Sequence, residues 1–251
     1  MAKNTKAAVP AVAVTKEAAP LTIINKPEAK VARDPHTHED ILVGAKHHNR
    51  TSRIASEFER GLQFIRRYEK SVTIYGSARF KPNNVHYKDA RALAARFAKE
   101  GYAVVTGGGP GIMEAGNRGA REAGGASIGL NIELPFEQII NPYVTDSMSF
   151  YYFFSRKTTM SFASEAYIYY PGGFGTLDEL FEILTLIQTG KIRKIPIFLV
   201  GSDFWAPLEE FIENVIMRDH GAIDKKDLQL YTVTDDHDLI IKSVLSAPVY
   251  R

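Results

Sequence analysis

The 251-residue chain contains no cysteine, which excludes disulfides, thiolate nucleophiles and cysteine-ligated metals. That absence fits a reducing compartment, and the cytoplasm is the expected location. No apolar run approaches the roughly 18–20 residues needed to span a bilayer. Residues 3–14 carry lysines and a short Ala/Val run, but Pro10 interrupts it, so the stretch does not read as a signal peptide. Two phosphate-binding signatures are missing as well. Gly107 and Gly109 followed by Ile112, and Gly109 and Gly111 followed by Glu114, both break G-x-G-x-x-G, and no G-K-S/T supplies the lysine of a P-loop. Strong charge of one sign is also lacking. The formal net charge is +2, with thirteen Lys/Arg against eight Asp/Glu in residues 1–70 and a surplus of three acidic residues after them. A mildly acidic folded part does not suit a nucleic-acid groove, so no nucleic-acid partner is expected.

What is present is ordinary globular usage, 45% hydrophobic and 24% charged. Residues 1–50 are rich in Ala, Pro, Lys and Thr without periodicity and read as a disordered or loosely attached extension. Its His36, His38, His47 and His48 lack the spacing of a metal site and read as exposed tail histidines, so no metal is expected. The domain is placed at 51–251, with a leading helix over 51–69 whose Ile54, Phe58, Leu62 and Ile65 share one face. Strands at 71–75, 102–106, 127–130, 143–145, 166–170, 195–200 and 228–233 alternate with helices near 87–100, 111–123, 150–163, 177–187, 204–217 and 236–245. Such alternation predicts an α/β fold, a doubly wound, Rossmann-like, mostly parallel sheet with helices on both faces. Ligands of these sheets sit at the carboxyl ends of the strands. Glycine-bearing turns follow Tyr75, Thr106 and Tyr170 at such ends. Glycine lets a phosphate approach backbone N–H groups at a helix start. Tight turning alone is the alternative for any one of them; three on one edge favour a small phosphorylated ligand.

Two charged positions stay open on spacing alone. Thr176-Leu177-Asp178-Glu179 fits a capping box, with Thr176 as N-cap and Glu179 at N3, yet a carboxylate beside an anion site is also placed for catalysis. Arg156-Lys157 reads either as a solvated helix pair or, amid Phe150, Tyr151, Tyr152, Phe153, Phe154 and Met160, as something more specific. The aromatic helix itself suits core or a subunit interface.

Pro171-Gly172-Gly173-Phe174-Gly175-Thr176-Leu177-Asp178-Glu179 resembles the P-G-G-x-G-T-x-x-E signature of the LOG ("lonely guy") family. Ser155-Arg156-Lys157-Thr158-Thr159-Met160 is similar to that family's R-K-x-x-M element, and Gly107-Gly108-Gly109-Pro110-Gly111-Ile112-Met113 to its glycine-rich turn. The resemblance covers roughly residues 71–233. It implies a phosphoribohydrolase that cleaves the N-glycosidic bond of a nucleoside 5′-monophosphate to free base and ribose 5-phosphate, of cytokinin type in the plant-type branch. The older label of the family, lysine decarboxylase, has no clear pyridoxal-phosphate lysine site here, and no cofactor is expected. The resemblance further implies that Glu179 and Arg156 are catalytic. It implies that Gly108, Gly109, Gly111, Gly172, Gly173, Gly175 and Thr176 cradle the 5′-phosphate, joined by Lys157, Ser77 and Arg79, and that the chain forms a homodimer or higher homo-oligomer. Two departures are the extension before Ser71 and the loop 131–138, which resembles a longer bacterial subgroup. A non-catalytic nucleotide-binding or carrier module, and an interaction protein recruited through residues 1–50, are the competing readings.

Overall fold

The computed structural model describes residues 44–133 and 140–247. The reading of residues 1–43, His36 and His38 included, and of the loop over 134–139 lies outside the described residues. Seven strands form one sheet: β1 (Ser71–Tyr75), β2 (Ala103–Thr106), β3 (Ser127–Ile132), β4 (Asp146–Phe150), β5 (Ala166–Tyr169), β6 (Ile197–Leu199) and β7 (Thr232–Val233). Every neighbouring pair is parallel, in the order β4-β3-β2-β1-β5-β6-β7. Parallel strands covered on both faces read as unbroken apolar runs, and β1, β2 and β5 are buried at every position.

The helices are α1 (Gly44–Ile65), α2 (Val85–Lys99), α3 (Ile112–Glu122), α4 (Phe153–Ser161), α5 (Phe174–Gln188), α6 (Ser202–Glu210) and α7 (His237–Ser246). One face of the sheet packs Val72, Ile74, Val104 and Ile168 against Leu93 and Phe97 of α2, Ile112 of α3 and Ile240 of α7. The other packs Tyr75, Val105, Tyr167 and Tyr169 against Phe64 of α1, Met160 of α4, Ile183 of α5 and Trp205 of α6. These two apolar layers supply the main driving force for folding.

Several boundaries differ from the sequence expectation, each for a local reason. The first helix starts at Gly44, so residues 44–50 belong to α1 rather than to a loose extension. The strand expected at 143–145 lies at Asp146–Phe150, because Asn141 ties residues 141–143 into a turn through its own side chain. Its polar sequence, Asp-Ser-Met-Ser-Phe, alternates in exposure as an edge strand does. The helix expected over 204–217 is α6 followed by a wider π-helical stretch, Phe211–Asp219. The strand expected at 228–233 shortens to β7, since Asp224 and Asp227 cap each other's backbone and hold Lys225–Gln229 as a 3-10 turn.

Candidate active site

Beyond β1 the chain steps to β2, β3 and β4 on one side, while β5 sits on the other. The loops leaving β1 and β5 diverge there, and such a divergence leaves a crevice at the carboxyl ends of the strands. The loops are pinned as they part. Tyr170 donates its N–H to the Tyr75 carbonyl at 2.9 Å, Ser77 to Pro171 at 3.0 Å, and Ile112 to Ser77 at 3.0 Å. A cavity of about 700 Å³ opens at this point. Ser77, Arg79, Arg156, Gly172, Gly173, Gly175, Thr176 and Glu179 all line it.

One wall is the start of α5. The N-cap is Gly173, with no side chain capping it, so the capping-box reading of Thr176 and Glu179 is overturned. The glycine turn delivers the chain into helix three residues sooner, and Thr176 lies inside the first turn, buried against Gly172, where any Cβ would collide with its hydroxyl. The first N–H groups of a helix have no intrahelical acceptor. Here they open onto the cavity beside Gly173 and Gly175, where an added Cβ would meet nothing within 4 Å. Free N–H groups and the positive end of the helix dipole make this turn a candidate anion cradle.

Facing that cradle is a charged pair from two helices. Arg156 Nη1 of α4 lies 3.7 Å from Glu179 Oε1 of α5, and the side chains are only 11% and 18% exposed. Arg156 Nε donates to the Leu130 carbonyl at the end of β3, at 2.7 Å. Gly107 makes room for the guanidinium, since a Cβ there would overlap the Arg156 Nη2 position. Burial dominates the titration of Glu179 and lifts its carboxyl from the usual 4.5 to about 7; Asp178 and Glu182 add to the rise, while Arg156 and Lys157 oppose it. A carboxyl that titrates near neutrality, paired with a fixed cation in a cleft, suits proton transfer and charge stabilisation.

Other expected site residues are placed elsewhere. Gly108 donates its N–H to Thr106 Oγ1 at 2.9 Å, so that donor is already used. Asn141 Nδ2 lies within reach of the carbonyls of Gly108 and Gly109, both at 3.0 Å, and of Asn117 Oδ1 at 2.8 Å. Gly108 and Gly111 take φ of +70° and +71°, which suits glycine. At Gly111 the backbone of Ser77 and Ala78 stands where a side chain would go. These three glycines shape the loop without lining the cavity. Lys157 turns to Asp178 at 2.7 Å and Glu182 at 3.6 Å. The sequence reading missed Gly107, Met113, Phe174 and Phe204 in the cavity wall. Gly107 and Met113 stood in the glycine-rich turn and Phe174 in the Pro171–Glu179 motif, each without an assigned role; Phe204 carried no local signal. Among the described residues no group of three His, Asp or Glu is placed to hold a metal ion.

A model of the family described as "Possible lysine decarboxylase" matches residues 113–244. The chain belongs to this family. Relatives include the rice (Oryza sativa subsp. japonica) protein named cytokinin riboside 5′-monophosphate phosphoribohydrolase LOG, 29% identical over 74% of this chain and 76% of the relative. A second rice protein, named probable cytokinin riboside 5′-monophosphate phosphoribohydrolase LOGL3, is 31% identical over 60% and 72%. A Rhodococcoides fascians protein named cytokinin riboside 5′-monophosphate phosphoribohydrolase is 27% identical over 58% and 75%. Among solved structures, the molybdenum cofactor carrier protein of Chlamydomonas reinhardtii superposes with a TM-score of 0.53 at 23% identity, over 70% of this chain and 98% of that one. At that identity the likeness concerns the fold.

Proposed function

We propose that this family member hydrolyses the N-glycosidic bond of a nucleoside 5′-monophosphate, releasing free base and ribose 5-phosphate. The observation that carries the proposal is the pairing, within one cavity, of an uncapped helix start with the buried Glu179–Arg156 pair. The 5′-phosphate binds the N–H groups at the start of α5, and the ribose C1′ lies toward Glu179. As the C1′–N bond breaks, positive charge develops on the sugar, and the Glu179 carboxylate stabilises it. The same carboxylate takes a proton from the attacking water, whose oxygen bonds C1′, while the base leaves with the bond's electron pair and takes up that proton from Glu179, which restores the carboxylate. Arg156 holds an oxyanion of substrate and keeps Glu179 partly ionised near neutral pH. The relatives' names support the reaction class and make a cytokinin riboside monophosphate one substrate to test.

The older family description does not suit the cavity. None of its lining residues is a lysine, and Lys157 is engaged with Asp178 and Glu182, so among the described residues this cavity offers no lysine for pyridoxal phosphate. The deciding experiment incubates the purified protein with a panel of purine, pyrimidine and cytokinin monophosphates and measures free base. Release from at least one, lost in Glu179→Ala and Arg156→Ala, is expected. Thermal stabilisation by monophosphates with no base released from any of them would favour a binding or carrier module instead.

The chain is proposed to work as a homodimer through Phe153, Phe154 and Phe162 of and just after α4 with Phe174 and Phe181 of α5, which are 39–93% exposed. Five exposed rings on and just after α4 and on α5 are apolar surface of the kind that suits a subunit contact. Light scattering should give twice the 28.0 kDa chain mass, and Phe153→Arg should return it toward the monomer.

A further inference from the structure

Helix α1 lies ahead of the family match, and among its described residues an acid is buried. Glu57 is 3% exposed, on a face shared with Gly61, Phe64 and Ile65. Its Oε1 accepts the Tyr151 N–H at 2.6 Å and its Oε2 the Tyr152 N–H at 3.2 Å. The Ser155 hydroxyl also donates to Oε2. Tyr152 is the N-cap of α4 and supplies no side-chain cap of its own. The cap of α4 therefore comes from another helix, and a carboxylate there favours both the free N–H groups and the helix dipole.

The two helices run side by side in register by one turn. Glu57 meets Ser155, and four residues on, Gly61 meets Thr159, whose Oγ1 would lie 2.6 Å from a Cβ at Gly61. Phe58 packs on Phe154 with ring centroids 6.2 Å apart. Arg156 follows Ser155 directly and belongs to the same first turn. An uncapped first turn is the part of a helix that frays, so losing the Glu57 cap would free the backbone that aims the guanidinium.

We propose that Glu57 is the positioning residue for Arg156: by binding Tyr151 N, Tyr152 N and Ser155 Oγ, it fixes the first turn of α4 so that Arg156 reaches both Leu130 O and Glu179. The leading helix thereby completes the candidate site from outside the matched region. The catalytic consequence rests on the hydrolase reading above, whereas the positioning itself does not.

The test compares full-length wild type, Glu57→Ala, Glu57→Gln and Ser155→Ala, each first checked by circular dichroism. Carboxyl NMR assigns the Glu179 titration by its disappearance in Glu179→Gln. Because Arg156 lowers that titration point, the Glu57 variants should move it upward, with a smaller rise in Ser155→Ala. With an active substrate, kcat should fall on the order of tenfold to a hundredfold in Glu57→Ala, with KM nearly unchanged because the α5 cradle is intact. Adding Glu57→Ala to Arg156→Ala should cost nothing further. Should Glu57→Ala not fold, Glu57→Gln and Ser155→Ala carry the same comparison. An unmoved Glu179 titration, or full additivity of the Glu57 and Arg156 losses, overturns the proposal. Absence of turnover in wild type would refute only the hydrolase reading, since the titration is read without substrate.

Discussion

Replacing Glu179 with Gln should make the protein more stable and far less active, and the stability gain should depend on pH in a calculable way. Burial raises the Glu179 carboxyl from 4.5 to about 7 in the fold. A raised folded-state value means the neutral acid is preferred there. The associated stability is complete below 4.5 and is lost as pH rises through about 7. At about 1.4 kcal/mol for each unit, the difference corresponds to about 3 kcal/mol of stability lost between pH 4 and pH 8. Glutamine matches the neutral acid in shape and never ionises, so the variant escapes that loss. Melting curves of both proteins across this pH range, read as their difference, cancel every other titrating group. The variant should gain on wild type by about 6–12 °C toward pH 8, at about 2–4 °C for each kcal/mol in a chain of this size. Turnover should fall by about 10²–10⁴, and the acid limb of wild-type kcat/KM should lie near pH 7. Melting curves that stay parallel from pH 4 to pH 8 would refute the burial argument. An acid limb near pH 4.5 would refute the role of Glu179 as the titrating base.

Further outcomes follow from the cavity walls. Gly107→Ala should displace Arg156 and lower kcat about tenfold or more with little change in melting temperature, checked by kinetics beside calorimetry. Asn141→Ala removes the side-chain amide from the Gly109 carbonyl and leaves Gly108 only the backbone N–H of residue 141, and should cost about 1–3 kcal/mol, read from denaturant unfolding. Lys157→Ala removes a partly exposed pair with Asp178 and should cost under about 1 kcal/mol, with phosphate binding retained in titration calorimetry. Inorganic phosphate or ribose 5-phosphate should raise the melting temperature of wild type, and bulky Gly173→Val at the cradle should abolish the rise.

The alternation of strand and helix was legible because each element declares itself locally. Ala166–Tyr169 reads as a buried strand from its own residues. The spacing of Leu177, Leu180, Phe181, Leu184 and Ile187 marks a helix, although the face it buries runs through Leu180, Ile183 and Ile187 and leaves Phe181 exposed. Elements whose signal comes from neighbours were misplaced. Strand β4 is polar and exists because β3 offers it a pairing edge. The α5 cap went wrong because Thr176 and Glu179 mimic a capping box, while the glycine turn starts the helix earlier. Along α1 the apolar stripe was visible, but the central role of Glu57 on that face was not, since burial of an acid depends on what lies opposite.

By itself the sequence determined the α/β architecture, the glycine turns at one edge of the sheet, and Glu179 and Arg156 as the residues to watch. Side-chain period and backbone permissiveness are properties of short segments. Only the tertiary structure decided that Arg156 meets Glu179 at 3.7 Å, that Lys157 turns away, and that Glu57, 98 positions before Ser155, holds the arginine's helix. Such meetings depend on how helices sit in register on a sheet, which no local pattern encodes.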